Sequence, residues 1–285
     1  MSASVFGRAR RLVTGLVNLR RPPAYGYFGV FSSWAEAMAQ CTGYDADAVL
    51  SKVAASARLV RDGVVAYERD SVTFAEPEYV WPLLSGLLLA ATRARGRLSV
   101  LDFGGSLGSR YYQHRALLGE QAGLDELRWT VVEQPAFVDL GRREFQDEVL
   151  GFRDSLADCL EKDAPNLLLL SSVLPYLERP HDQLAELVDA AIPWILVDRT
   201  PFLDAPEDRL TVQRVPPSIY EASYPAWFFV KDGFLDHFRR GYALLSEFEA
   251  LDGRKTLHPD RIRSRALGFL FRRREEGGAA GGDAP

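Results

Sequence analysis

The stretch LSVLDFGGSLG, residues 98–108, decides how the rest of the chain is read. Leu98, Val100 and Leu101 form an apolar run that reads as a buried strand, and the run ends in Asp102. Gly104, Gly105 and Gly108 follow at once. Glycine reaches positive φ and lets a ligand approach the main chain closely. A buried strand that breaks into a glycine turn and then a helix is how doubly wound α/β folds make a nucleotide pocket. The free N–H groups at the helix start face such a ligand.

Outward from this stretch, the chain beyond residue 97 alternates between strand and helix patterns. Strands are predicted at 98–103, 129–133, 149–152, 166–171 and 194–198, and helices from 109 onward, over 137–145 and over 180–191. The run NLLLLS at 166–171 is continuously apolar, as a strand buried on both faces requires. A Pro-rich stretch at 201–225 precedes a predicted helix at 231–239. Strands at 242–249 and 266–272 follow, too close together for a helical crossover and therefore read as antiparallel. Upstream, helices are predicted at 33–41, 45–61 and 77–95, with a hairpin or extended connection at 64–74. This divides the chain into a mainly helical lobe (1–96), an α/β domain (97–274) with a Pro-rich loop near 201–229, and a Gly/Ala-rich disordered tail (275–285).

Composition excludes several classes. The net charge of −5 gives no electrostatic case for a nucleic-acid partner. Cys41 and Cys159 form neither a metal-ligand spacing nor a disulfide framework, and fit a reducing cytoplasm. No apolar run reaches the roughly 18–20 residues of a membrane helix. The N-terminus carries five arginines and no acid before Pro22. It reads as a segment packed on the lobe or solvated, with a basic amphipathic contact to anionic lipid as the alternative. No spacing of carboxylates or histidines points to a metal.

The segment Asp102-Phe103-Gly104-Gly105-Ser106-Leu107-Gly108 resembles the D/E-x-G-x-G-x-G turn of class I S-adenosylmethionine-dependent methyltransferases, with Ser106 at the middle glycine. The dinucleotide register G-x-G-x-x-G fits less well, because Ser106 and Ser109 would replace two of its three glycines. The resemblance implies a Rossmann-like α/β fold, a seven-stranded, mostly parallel sheet with one antiparallel strand. It also implies S-adenosylmethionine as cofactor, its methionine part wrapped by the turn. Glu133 ends the next strand, where an acid accepts bonds from both ribose hydroxyls. Gln134 lines the adenine side, Asp154 stands where the adenine amino group is read, and Ser171 and Ser172 follow the fourth strand at the site's mouth.

The runs VLDFGGSLGSRYYQ, LLLLSSVLPYLERP and QRVPPSIYEASYPAWFF are further similar to a bacterial methyltransferase family that accompanies surface-polysaccharide and other biosynthetic clusters. That similarity implies methyl transfer to a small-molecule or sugar-linked acceptor. Methyl transfer needs alignment, exclusion of water and, for a hydroxyl acceptor, removal of a proton. Asp198 at the tip of the fifth strand is the carboxylate expected to do this, beside Arg199 as a clamp for an acidic group. Gln213, Tyr220 and Tyr224 are the expected acceptor-side residues, the tyrosines with a catalytic role. Ser106 and the lack of an evident base keep a second reading open, a catalytically silent binding or scaffold protein on the same fold. A nucleotide-sugar or NAD(P) enzyme is a third.

Overall fold

The computed structural model describes residues 23–41, 46–219, 221–251 and 253–275. The basic N-terminal segment and the last ten residues of the tail lie outside them. Among the described residues no helix is long and apolar enough to cross a membrane.

The glycine turn is set between β4 (Arg97–Phe103) and α4 (Ser109–Leu118). β4 pairs in parallel with β5 (Glu126–Val132) on one side and β7 (Leu167–Ser171) on the other. β5 pairs with β6 (Leu150–Arg153), and β7 with β8 (Trp194–Leu203). β14 (Arg265–Arg273) runs antiparallel to β8, and β11 (Tyr242–Glu249) antiparallel to β14. The order β6-β5-β4-β7-β8-β14-β11, with β14 reversed, is the expected Rossmann-like sheet. Leu167 to Leu170 and every residue of β8 are buried, as strands covered on both faces must be. The covering helices include α3 (Trp81–Arg93), which buries Leu83, Leu84, Leu87, Ala90 and Ala91. Opposite it, Phe202, Phe229, Phe234, Phe238, Phe269 and Phe271 form an aromatic core under α8 (Lys231–Asp236).

The sheet is larger than seven strands. The Pro-rich stretch folds as β9 (Arg209–Arg214) and β10 (Ser223–Val230), an antiparallel pair, where a loop is expected. Pro216 and Pro217 fall between these strands, whereas Pro201 lies within β8 and Pro225 within β10. β8 runs past Asp198 to Leu203, and its last two residues pair with β10 where β7 has ended. The lobe that reads as mainly helical supplies β1 (Gly26–Phe31), which pairs with β9 and with β12 (Thr256–His258). Gly26 and Gly29 disguise β1 in the sequence. Both have positive φ, and the register with β9 slips between Phe28 and Phe31.

The remaining elements of the lobe follow the sequence. α1 (Trp34–Met38) is capped by Ser33, whose hydroxyl accepts from Glu36 N–H. α2 (Ala46–Arg61) ends near Gly63 at φ +72°. α3 starts at Trp81, four residues later than expected, because Pro82 is tolerated only in a first turn. β2 (Tyr67–Arg69) and β3 (Val72–Phe74) form a hairpin. Its two turn residues, Asp70 and Ser71, both have positive φ, as a type I′ turn demands. Beyond the turn, α5 (Pro135–Glu144) and α7 (Pro180–Asp189) match expectation. α6 (Leu156–Asp163), capped by Ser155, was not expected.

Gly268 lies where β14 slips against β8, and an added Cβ would stand 2.2 Å from the Phe248 ring and 2.8 Å from the Val197 carbonyl oxygen. Gly268→Ala is expected to lower the unfolding free energy by about 1–3 kcal/mol. Urea denaturation reads this, and an unchanged midpoint would mean that β11 yields without cost.

Candidate functional site

A cavity of about 570 Å³ opens at the carboxyl ends of β4, β5 and β7, where open α/β sheets bind their ligands. One wall is the glycine turn. Gly104 has φ +71°, and a Cβ there would meet the Val173 side chain at 2.3 Å. A Cβ on Gly105 would stand 2.4 Å from the Asp102 carboxyl carbon. Gly108, at φ +90°, starts α4 and packs on Leu150. Ser106 adopts φ +57°, so it takes up the left-handed backbone that the glycine of the resembled turn would supply, at a strain of about 1–2 kcal/mol.

Three carboxylates surround this turn. Asp102, only 1% exposed, accepts a hydrogen bond from Trp129 Nε1 at 3.0 Å. Its Oδ1 has no hydrogen-bond partner among the described residues. Burial pushes its pKa up to about 7, against the Trp129 bond and the Arg110 charge. Glu133, just past β5, accepts from Ser106 N–H at 3.3 Å and Gln134 N–H at 2.7 Å, and burial also raises its pKa. Glu68, 6% exposed, reaches the cavity from β2. It accepts from the Ser109 hydroxyl at the start of α4 and from Ser71 N–H at 3.0 Å, and burial raises its pKa as well. None of the three forms an ion pair with a described residue. Of the described cations lining the cavity, Arg110 pairs with Asp198, Arg199 with Asp70 at 2.5 Å and Arg69 with Glu78 at 3.2 Å, while Lys255 sits over the Tyr27 ring.

The other wall is aromatic and polar. The Tyr176 hydroxyl donates to Gln213 Oε1 at 2.9 Å, and its ring meets Tyr224 edge-on at 5.3 Å. Tyr27, Trp34, Arg199 and Lys255 complete this side. Lys255 sits over the Tyr27 ring.

The cavity gathers Asp102, Gly104, Gly105, Ser106, Glu133, Gln134, Ser171, Ser172, Arg199, Gln213 and Tyr224 from among the residues named by sequence. Three others stand apart. Gly108 shapes the helix start behind the lining. Asp154 is exposed and bonded to Arg142 at 2.7 Å, outside the lining. Asp198 is fully buried behind the wall, where it accepts from Arg110 Nη2 at 3.0 Å and from the Ser171 hydroxyl at 3.2 Å. It is therefore a buried anchor and does not face the cavity. Tyr220 lies outside the described residues.

Sequence reading missed Glu68, Arg110 and Tyr176. Glu68 sits in a short hairpin remote in sequence from the turn. Arg110 carries no local motif that marks it, and it donates to Ser171, Gln113 and Asp198 together. Among the described lining residues there is no histidine. His114 is buried nearby, its pKa pushed down to about 4 by desolvation, and is held neutral against the Arg110 carbonyl. No group of described residues could hold a metal ion.

No family model matches the chain, and no curated protein sequence matches it. Solved structures do. The N-terminal domain of EvdMO1 with SAH bound is 14% identical, with a TM-score of 0.41 over 82% of this chain and 100% of that one. The glycopeptide N-methyltransferase MtfA complexed with sinefungin is 13% identical, with a TM-score of 0.38 over 64% of this chain and 93% of that one. The PH0226 protein from Pyrococcus horikoshii is 11% identical, with a TM-score of 0.39 over 69% and 92%. The fold assignment rests on this chain's own strand order.

Asp198→Asn leaves the Arg110 guanidinium buried without its counter-charge. Stability is expected to fall by about 3–5 kcal/mol, measured by urea denaturation. A loss below 1 kcal/mol on the same scale would show that water or another carboxylate takes over.

Proposed function

We propose that this chain binds S-adenosylmethionine in the cavity and transfers its methyl group to a small-molecule or sugar-linked acceptor in a biosynthetic pathway. The observation that carries this reading is the set of carboxylates around a glycine turn, two buried and one half-buried, with no cation among the described residues in an ion pair with them. Such burial is costly unless a ligand supplies positive charge and donors. S-adenosylmethionine supplies an ammonium, a sulfonium and two ribose hydroxyls.

The residues fit that ligand group by group. Glu133 is an acceptor-only carboxylate at the end of β5, suited to the two ribose hydroxyls. Gly104 and Gly105 keep the approach free of side chains, and the unpartnered Asp102 Oδ1 is an acceptor ready for a donor. Gln134 and Phe137 flank the adenine side. A bound sulfonium brings a methyl group that is already electrophilic.

The protein's own residues then bind, align and exclude water. Tyr176, Tyr224, Gln213 and Trp34 offer ring faces and hydrogen bonds to a polyol or ring-bearing acceptor, with Arg199 for an acidic group. Asp198 acts through Arg110 and Ser171 as a positioning residue. Its withdrawal from the cavity favours a second reading, a binding protein without turnover.

Calorimetry with S-adenosylhomocysteine tests the binding claim. The wild-type protein is expected to bind in the micromolar range, and Gly104→Arg, which fills the approach over the turn, to abolish binding. Absence of binding to the wild type would end this reading, and binding without methyl transfer to any acceptor would favour the silent one.

A further inference from the structure

The carboxylates at the turn are not equivalent in position. Glu133 is bonded to Ser106 N–H in the middle of the turn, whereas Glu68 is bonded to Ser109 where the turn becomes α4. Ser106 and Ser109 are three residues apart, so the two carboxylates engage the turn at different points. Both carboxylates line the cavity, so a ligand bound there has each within its walls. Glu68 is also the only one of the three supplied by the lobe, through the β2–β3 hairpin.

Glu68 is held in place. Ser71 N–H fixes Oε2 and the Ser109 hydroxyl engages Oε1. The cation with most influence on it, Arg199, is already bonded to Asp70 at 2.5 Å. A buried, pre-oriented carboxylate in a cavity wall, with no ion pair among the described residues, is built for a cationic group that arrives with the ligand.

We propose that Glu68 pairs with the α-ammonium group of the methionine part of the bound nucleoside, so that the hairpin of the N-terminal lobe closes the amino-acid end of the site. This rests on the reading that the cavity takes S-adenosylmethionine. The pairing makes Glu68 a binding and specificity residue. It distinguishes amino-acid-bearing nucleosides from nucleosides that lack the amino group. Arg199, through Asp70 in the turn of the same hairpin, ties that end to the acceptor side.

The test is a thermodynamic cycle between residue and ligand group. Wild type, Glu68→Gln and Glu133→Gln are titrated calorimetrically with S-adenosylhomocysteine and with its analogue lacking the α-amino group. In the wild type, the amino-bearing ligand is expected to bind about 10- to 100-fold more tightly. Glu68→Gln removes that difference by weakening S-adenosylhomocysteine alone. Glu133→Gln weakens both ligands and keeps the difference.

Retained binding of the deaminated analogue marks the Glu68 variant as folded. Equal affinities of the two ligands in the wild type overturn the proposal whatever the variant does. So does a Glu68→Gln variant that weakens both ligands alike or neither. If S-adenosylhomocysteine fails to bind the wild type at all, the methyl-donor reading falls first and takes this proposal with it.

Discussion

Three carboxylates surround one glycine turn, Asp102 and Glu68 buried and Glu133 half-buried, and no cation among the described residues forms an ion pair with them. That constraint organises the site. Asp102 is oriented by Trp129, a fully buried side chain from the neighbouring strand, which satisfies one oxygen and leaves the other without a partner. Glu133 and Glu68 are anchored by the turn's own N–H and hydroxyl groups. Burial then raises the pKa of each group, because the charged form lacks compensation. A site arranged this way is incomplete without a ligand that carries positive charge.

The cations are used to build the walls. Arg110, buried at the start of α4, joins Ser171 at the end of β7 to Asp198 in β8. This one guanidinium fastens the glycine-turn helix to the strands beyond it. Arg199 does the same for the lobe, reaching Asp70 in the hairpin from a left-handed backbone at φ +55°. Both pairs neutralise charge within the protein and leave the carboxylates at the turn as the unmatched set.

Much of this was legible in the sequence because local and global signals agree. NLLLLS and WILVD can only be doubly covered strands, and their pairing with LSVLDF fixes the centre of the sheet. Glu133 was readable from its place at a strand tip. What escaped had weak local signals. β1 carries two glycines at positive φ, and β9 and β10 lie in a stretch whose prolines read as loop. Glu68 is distant from the turn in sequence and close only through tertiary packing. Asp198 shows the opposite error. A strand-tip acid looked catalytic, but the sequence does not reveal that Arg110 reaches across to bury it.

Protons report the central claim most directly. At about pH 6.5 a group such as Asp102, with its pKa raised to about 7, is partly protonated in the ligand-free protein, and a cationic ligand favours its charged form. Calorimetric titration with S-adenosylmethionine in buffers of low and high ionisation heat gives the number of protons exchanged on binding. Net proton release is expected, fading as the pH is raised, with affinity increasing over the same range. Binding without proton release, or no binding, would contradict it.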